Sequence, residues 1–189
     1  MNEKKDDPKA KKLSTRRAYN GRIVKVDIDT VKLPNNTTVE LEMVRHPGAS
    51  AVVPFLSDPE AYDPQLLLIR QYRHATDGFI YEIPAGKLDA DEAPVECAKR
   101  ELLEETGCTA AKIEHLYTFY TTPGFTDERI HAFMATGLTR GEQHLQQDEV
   151  MTLETVALSR ALEMIKTGAI VDGKTALAIL YVAGFRLDK

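Results

Sequence analysis

Apolar positions Ile23, Val24, Val26, Ile28, Val31 and Leu33 recur at nearly every second place, the signature of a strand with one buried face. Pro34-Asn35-Asn36 then offers turn chemistry, and residues 38–44 alternate again, so a hairpin is expected. Further strands are expected over residues 51–56, 65–72, 79–83, 113–121 and 129–136. Three segments change to helical spacing, at about 93–106, 158–167 and 174–185. Asp91 or Glu92 is placed to cap the first, Pro94 suits its first turn, and Gly107 suits its C-terminal end. Gly168 ends the second helix and Asp172 can cap the third. Many strands with a few interspersed helices predict an α/β (α+β) domain built on a mixed β-sheet.

The 189 residues, 43% hydrophobic and 28% charged, are enough for one soluble domain with a proper core. The polar, lysine-rich start is expected to be a disordered tail over residues 1–13, with no apolar region of signal type. No apolar run reaches spanning length, and the two cysteines, Cys97 and Cys108, lack metal-ligand or CxxC spacing. A cytoplasmic protein without membrane attachment is therefore expected. The net charge of −5 argues against nucleic acid as a partner. A small anion still fits if local arginines and metal ions supply positive charge.

The chemistry concentrates in residues 86–108, GKLDADEAPVECAKRELLEETGC. On a helix, Val95, Ala98 and Leu102 form one apolar stripe, while Glu101 and Glu105 share a face. Glu105 falls at the edge of the stripe and Glu104 one step further round. Like charges at this spacing cost roughly 0.2–0.5 kcal/mol. Each glutamate near the negative end of the helix dipole costs about 0.3–1 kcal/mol more. A hard divalent cation is the natural compensation, because magnesium prefers oxygen ligands and bridges to phosphates.

Gly86, Glu92, Arg100, Glu101, Leu102, Glu104, Glu105, Gly107 and Cys108 stand at the fixed positions of the Nudix signature, which the stretch resembles without a gap. Cys108 is the one mild departure, since an aliphatic residue is commoner there. The resemblance implies a Nudix fold, a mixed sheet packed between helices with a loop-helix-loop catalytic motif. By position it makes Glu101 and Glu105 direct metal ligands, with Glu104 bound directly or through water and the carbonyl of Ala85 completing the set. Magnesium is the implied cation, with manganese the alternative. Glu92 and Arg100 would brace the loop-helix-loop.

Residues 18–187 resemble the ADP-ribose pyrophosphatase and nucleoside diphosphate sugar subgroup. IRQYR, residues 69–73, resembles its phosphate-binding strand and points to Arg73 and Arg70 as substrate-binding groups. YEIPAG, residues 81–86, matches the approach to its signature, and Pro123, sixteen residues beyond Gly107, is its marker for ADP-ribose. The subgroup's base sits on a later acidic loop, here QQDEVMT, which implies Glu149 with Asp148 and Glu142 as rivals. The implied reaction converts a small nucleotide sugar, ADP-ribose, to AMP and ribose 5-phosphate. Other enzyme substrates, GDP-mannose or NADH, are the alternative, and a non-catalytic ligand sensor is a further one that the intact carboxylates disfavour. Among the aromatics, Tyr19, Tyr72, Tyr81 and Phe125 are all able to stack on a base. The resemblance further implies a homodimer through N-terminal strands over residues 14–48, a hydrolase domain over 49–189, and Arg45 with His46 reaching a neighbouring site.

Overall fold

The computed structural model describes residues 7–145 and 150–187. The described residues form two compact units, one of residues 7–46 with 120–129 and the other of 47–119 with 130–145 and 150–187.

The first unit carries an antiparallel three-stranded sheet of β1 (Lys11–Asn20), β2 (Lys25–Lys32) and β3 (Thr38–Arg45). The β2–β3 hairpin forms where the alternation predicts one, with Asn36 in the left-handed region at φ 66° where asparagine is tolerated. The expected apolar face is not the buried one, however: Ile23 and Val24 are exposed and precede β2, and Val26 and Ile28 are only half-buried. β1 begins inside the segment expected to be a tail, correcting that expectation from Lys11 onward. All ten of its residues are exposed, so it carries no buried-face periodicity to be read. β2 buries Asp27, Asp29 and Val31 on one face.

The second unit holds β4 (Ala49–Pro54), β5 (Gln65–Arg73), β6 (Gly78–Glu82), β7 (Ala85–Lys87), α1 (Pro94–Thr106), β8 (Cys108–Tyr120), β9 (Arg129–Arg140), β10 (Met151–Ala157), α2 (Leu158–Lys166) and α3 (Gly173–Phe185). One sheet runs β10-β5-β6 and the other β7-β4-β9-β8. β4 lies parallel to β9 but antiparallel to β7, so the sheet is mixed. A bridge between Phe55 and Leu66 joins the two sheets. Alternation along the buried strands feeds two cores. Val52, Leu67, Phe133 and Ala135 pack with Ala98 and Leu102 of α1. Val53, Leu66, Leu68 and Met134 pack with Ala161, Met164, Ile179 and Val182 of α2 and α3. Helices thus cover both faces, which is the layering expected from the resemblance.

β7 and β10 are absent from the sequence reading. β7 spans only three residues, too few for a periodic signal, and β10 is mostly half-exposed. The start of α1 also differs. Ala93 holds the N-cap position without a side-chain bond, because Arg100 engages the Glu92 carboxylate, which also accepts from the Asp89 amide. Asp91 instead takes a left-handed turn at φ 62°. At the other end Gly107 closes the helix at φ 69°, as expected.

Candidate active site

α1 is fixed at both ends to the parts that a site would need. Ser50 donates to the carbonyl of Pro94 at 2.7 Å, tying the helix start to β4. The Cys97 thiol lies 3.5 Å from the carbonyls of Gly86 and Lys87. Burial pushes that thiol up to about 11, so it stays protonated. Ala98 and Leu102 are fully buried, and Glu105 continues their stripe, which is why a carboxylate ends only 4% exposed. Glu101 is 7% exposed, and Glu104 is half-buried.

Oε2 of Glu105 accepts the amide of Ala85 at 3.0 Å. Glu101 packs against Gly86 so closely that a Cβ there would overlap its carboxylate. Arg100 donates to Glu92 at 2.9 and 3.0 Å, to Glu101 at 2.6 Å, to Glu104 at 3.2 Å and to the Lys87 carbonyl at 3.1 Å. The Arg100 bonds, led by the one to its side chain, hold Glu92 down at about 2. Arg100 is therefore the clamp between the loop and the helix. Among the described residues, no three His, Cys, Asp or Glu side chains converge as a finished ligand set, because Arg100 draws Glu101 and Glu104 while Glu105 turns to Ala85.

Strand alternation separates the two arginines of IRQYR. Arg73 shares a face of the sheet with Ile69 and Glu82, and its Nε and Nη2 reach the two Glu82 oxygens at 2.6 and 2.9 Å. Those bonds raise the Arg73 pKa against burial, and the charges of Glu82, Glu105 and Asp172 add to the effect. Arg73 is thus within electrostatic reach of the carboxylate helix. Arg70 lies on the opposite face, its guanidinium 5.0 Å above the Phe79 ring. Tyr72 meets Phe79 edge-on at 5.6 Å on that same face. The structure ties Ala85 to Glu105, joins Glu101 to Glu104 through Arg100, and sets Arg73 within electrostatic reach of Glu105, while Arg70 lies on the other face of its sheet.

Glu82 itself is absent from the sequence reading as a functional group. It is 3% exposed and also accepts from Lys174 at the start of α3. Burial works to raise its pKa, but Arg73 and Lys174 hold it below the ordinary value. Its signal in the sequence is a lone carboxylate inside the apolar run FIYEIP. Thr175 ties the same turn down by accepting the Ile83 amide at 2.9 Å.

The loop after β9 returns to the glutamates. Gly141 donates to the Gly107 carbonyl at 2.7 Å and His144 to the Glu104 carbonyl at 2.9 Å. The Gln143 side chain caps the Glu105 carbonyl. Glu142 belongs to this anchored stretch, whereas Asp148 and Glu149 lie outside the described residues.

Two expected substrate groups fall in the first unit. Arg45 donates to Asp27 at 3.1 Å, to Asp127 at 3.1 Å and to Asp29, while Arg17 and Thr15 complete the cluster. Those bonds raise the Arg45 pKa, the one to Asp29 most of all. Pro123 sits in an exposed turn in which Thr122 accepts the amides of Phe125 and Thr126, each at 3.2 Å.

A carboxylate-rich helix end beside a held guanidinium, on a mixed sheet between helices, is the layout of a hydrolase that works on phosphate groups. The chain belongs to the NUDIX domain family, whose model matches residues 45–176. It is 41% identical over 174 residues to the methanol dehydrogenase activator of Bacillus methanolicus, covering 91% of each chain. It is 37% identical over 174 residues to the ADP-ribose pyrophosphatase of Bacillus subtilis, again with 91% of each chain covered. A solved ADP compounds hydrolase, 20% identical, shares the fold with a TM-score of 0.79 over 95% of each chain.

Proposed function

We propose that the protein hydrolyses the diphosphate bond of a nucleoside diphosphate sugar, converting ADP-ribose to AMP and ribose 5-phosphate. The observation that carries this reading is the Arg73 fork, held by Glu82 within reach of Glu105 on the carboxylate helix. A diphosphate needs a planar double donor on one side and a cation on the other. The relative named ADP-ribose pyrophosphatase supports the choice of substrate.

The site residues fit a divalent cation. Two carboxylates are almost fully buried toward the negative end of a helix, a third is beside them, and Arg100 pairs with Glu101 and Glu104. Nudix hydrolases generally use divalent metals. Glu101, Glu104, Glu105 and the Ala85 carbonyl would hold the ion, with magnesium proposed and manganese the alternative. Such a cation neutralises charge developing on the diphosphate.

The chain's own groups do the rest. Arg73 orients the diphosphate. A carboxylate on the loop that returns to α1 takes the proton from the attacking water, with Glu149 assigned and Asp148 and Glu142 as rivals. The bonds of Gln143 and His144 to the Glu105 and Glu104 carbonyls support a base on this loop. The N-terminal strands are proposed as the dimerisation element, since β1 has no buried residue of its own. A cytoplasmic location is proposed as well. Among the described residues, no helix is long and apolar enough to cross a membrane, and both cysteines are free.

Rates on ADP-ribose, GDP-mannose, NADH and ATP, with products separated, test the reading. AMP with ribose 5-phosphate from ADP-ribose as the best substrate is expected. ATP as the preferred substrate, or free ribose as a product, would sink it.

A further inference from the structure

Lys174 stands in the first turn of α3, the positive end of the helix dipole and an unfavourable place for a cation. It is not there as a cap, because Asp172 fills that role by accepting the Thr175 amide at 3.0 Å and its hydroxyl at 2.6 Å. The Lys174 ammonium instead extends to Oε2 of Glu82, with Asp172 at 3.0 Å, and its side chain is 15% exposed. One buried carboxylate therefore serves two cations from different elements, Arg73 at the end of β5 and Lys174 at the start of α3.

We infer that Lys174 is a positioning residue for the diphosphate: by sharing Glu82, it lets that carboxylate hold the Arg73 fork in place without cancelling its positive charge. The inference rests on the reading above that Arg73 binds the diphosphate.

The charges decide the matter. Glu82, Arg73, Asp172 and Lys174 sum to zero as the four stand. Without Lys174 the group is negative by one, and Glu105 adds to it within reach of Arg73. An arriving diphosphate would then meet a guanidinium already neutralised by Glu82 and surrounded by excess negative charge. With Lys174 present, Glu82 keeps its geometric grip on Nε and Nη2, and the field that meets the diphosphate is less negative by one full charge. The arrangement separates the orientation of Arg73 from its charge, which a simple Arg–Glu pair cannot do.

The test uses the full chain and α,β-methylene-ADP, a diphosphate that cannot be hydrolysed, titrated by calorimetry with EDTA present so that only protein groups bind it. Lys174→Met is expected to weaken the dissociation constant about tenfold and to raise KM for ADP-ribose similarly, with kcat within about twofold. Lys174→Arg should restore both to within about threefold. In a Glu82→Gln background the same Lys174→Met change should have little further effect, because its influence passes through Glu82. The double variant also serves if Lys174→Met alone folds poorly, since it leaves no uncompensated Glu82 charge. Unchanged analogue affinity in a folded Lys174→Met protein, or an equal loss with and without Glu82, would overturn the inference while leaving the proposed function intact. A wild-type protein that does not bind the analogue, and in which Arg73→Ala leaves KM unaltered, would overturn both.

Discussion

Gly86 and Glu101 occupy one space: the position a Cβ on Gly86 would take is filled by the Glu101 carboxylate. The glycine is needed for that close approach, not for an unusual backbone angle, since Gly86 is not among the positive-φ glycines. Gly86→Ala should therefore displace the end of a flexible side chain, at little cost to folding. If Glu101 is a metal ligand as proposed, we expect kcat/KM to fall about 10–100-fold, the usual penalty when the support that orients a ligand is lost, with a melting temperature within a few degrees of wild type. Activity close to wild type in a protein of normal stability would show that Glu101 is not needed where it sits.

Glu105→Gln separates the acceptor from the charge. Oε2 of Glu105 accepts the Ala85 amide, and a glutamine oxygen can do the same, so the local structure should survive. Removing one of the buried negative charges should leave the cation-free protein as stable as wild type or slightly more so. Added magnesium should then raise the melting temperature of wild type but hardly that of the variant. Equal magnesium-dependent shifts in the two proteins would remove Glu105 from the ligand set.

The place of Glu105 on its helix shows why α1 was legible in the sequence. Its stripe of Val95, Ala98 and Leu102 has helical spacing, Gly107 closes it, and Glu105 extends the stripe into burial. Arg73 was legible from its strand, but the face it occupies is settled by register against β6, which places Arg70 on the other side. Glu82 and Lys174 were not legible as partners, because they are 92 residues apart and neither belongs to a local pattern. β1 was invisible for a related reason: an exposed strand with lysines and arginines has no apolar periodicity to betray it. Arg45 carried a plausible functional charge in the sequence, yet only the fold reveals three aspartates around it.

The clamp between Glu92 and Arg100 should give the protein a distinct acid sensitivity. Arg100 holds the Glu92 pKa at about 2, down from 4.5 for a free carboxyl. A carboxyl depressed on folding stabilises the folded state fully above its unfolded value and loses that contribution as pH falls through the folded one. The Glu92 contribution should thus be complete above about pH 4.5 and fade between there and about pH 2. Glu92→Gln should lower the melting temperature at pH 7, and the gap to wild type should narrow as pH drops toward 3. A gap that stays constant over that range would mean that the clamp does not depend on the Glu92 charge.

β1 offers a strand with one open edge and no buried residue, and such an edge is a template for pairing with a second copy of the chain. Removing residues 1–20 should convert a dimer to a monomer in sedimentation while leaving the second unit folded. A full-length protein that sediments as a monomer at micromolar concentration would refute the proposed dimer, whatever the truncation does.

The proposed base on the loop after β9 draws support from where that loop is tied. Gly141, Gln143 and His144 bond to the carbonyls of Gly107, Glu105 and Glu104, so the chain sets out from the helix end that carries the glutamates. Glu142 belongs to the tied part, where the Gly107 backbone packs against it, and this restricts its freedom to approach a water. Glu149 lies further along, outside the described residues, and is the assigned base. Glu149→Gln should leave KM for ADP-ribose nearly unchanged and lower kcat by about two to four orders of magnitude, as expected when a positioned base is lost. Glu142→Gln should have an effect below about fivefold. Activity of Glu149→Gln should not recover at high magnesium, since the lost group moves a proton and does not hold the cation. A large loss in Glu142→Gln with near-normal turnover in Glu149→Gln would transfer the role to Glu142. Recovery of the Glu149 variant by magnesium would instead make Glu149 a ligand.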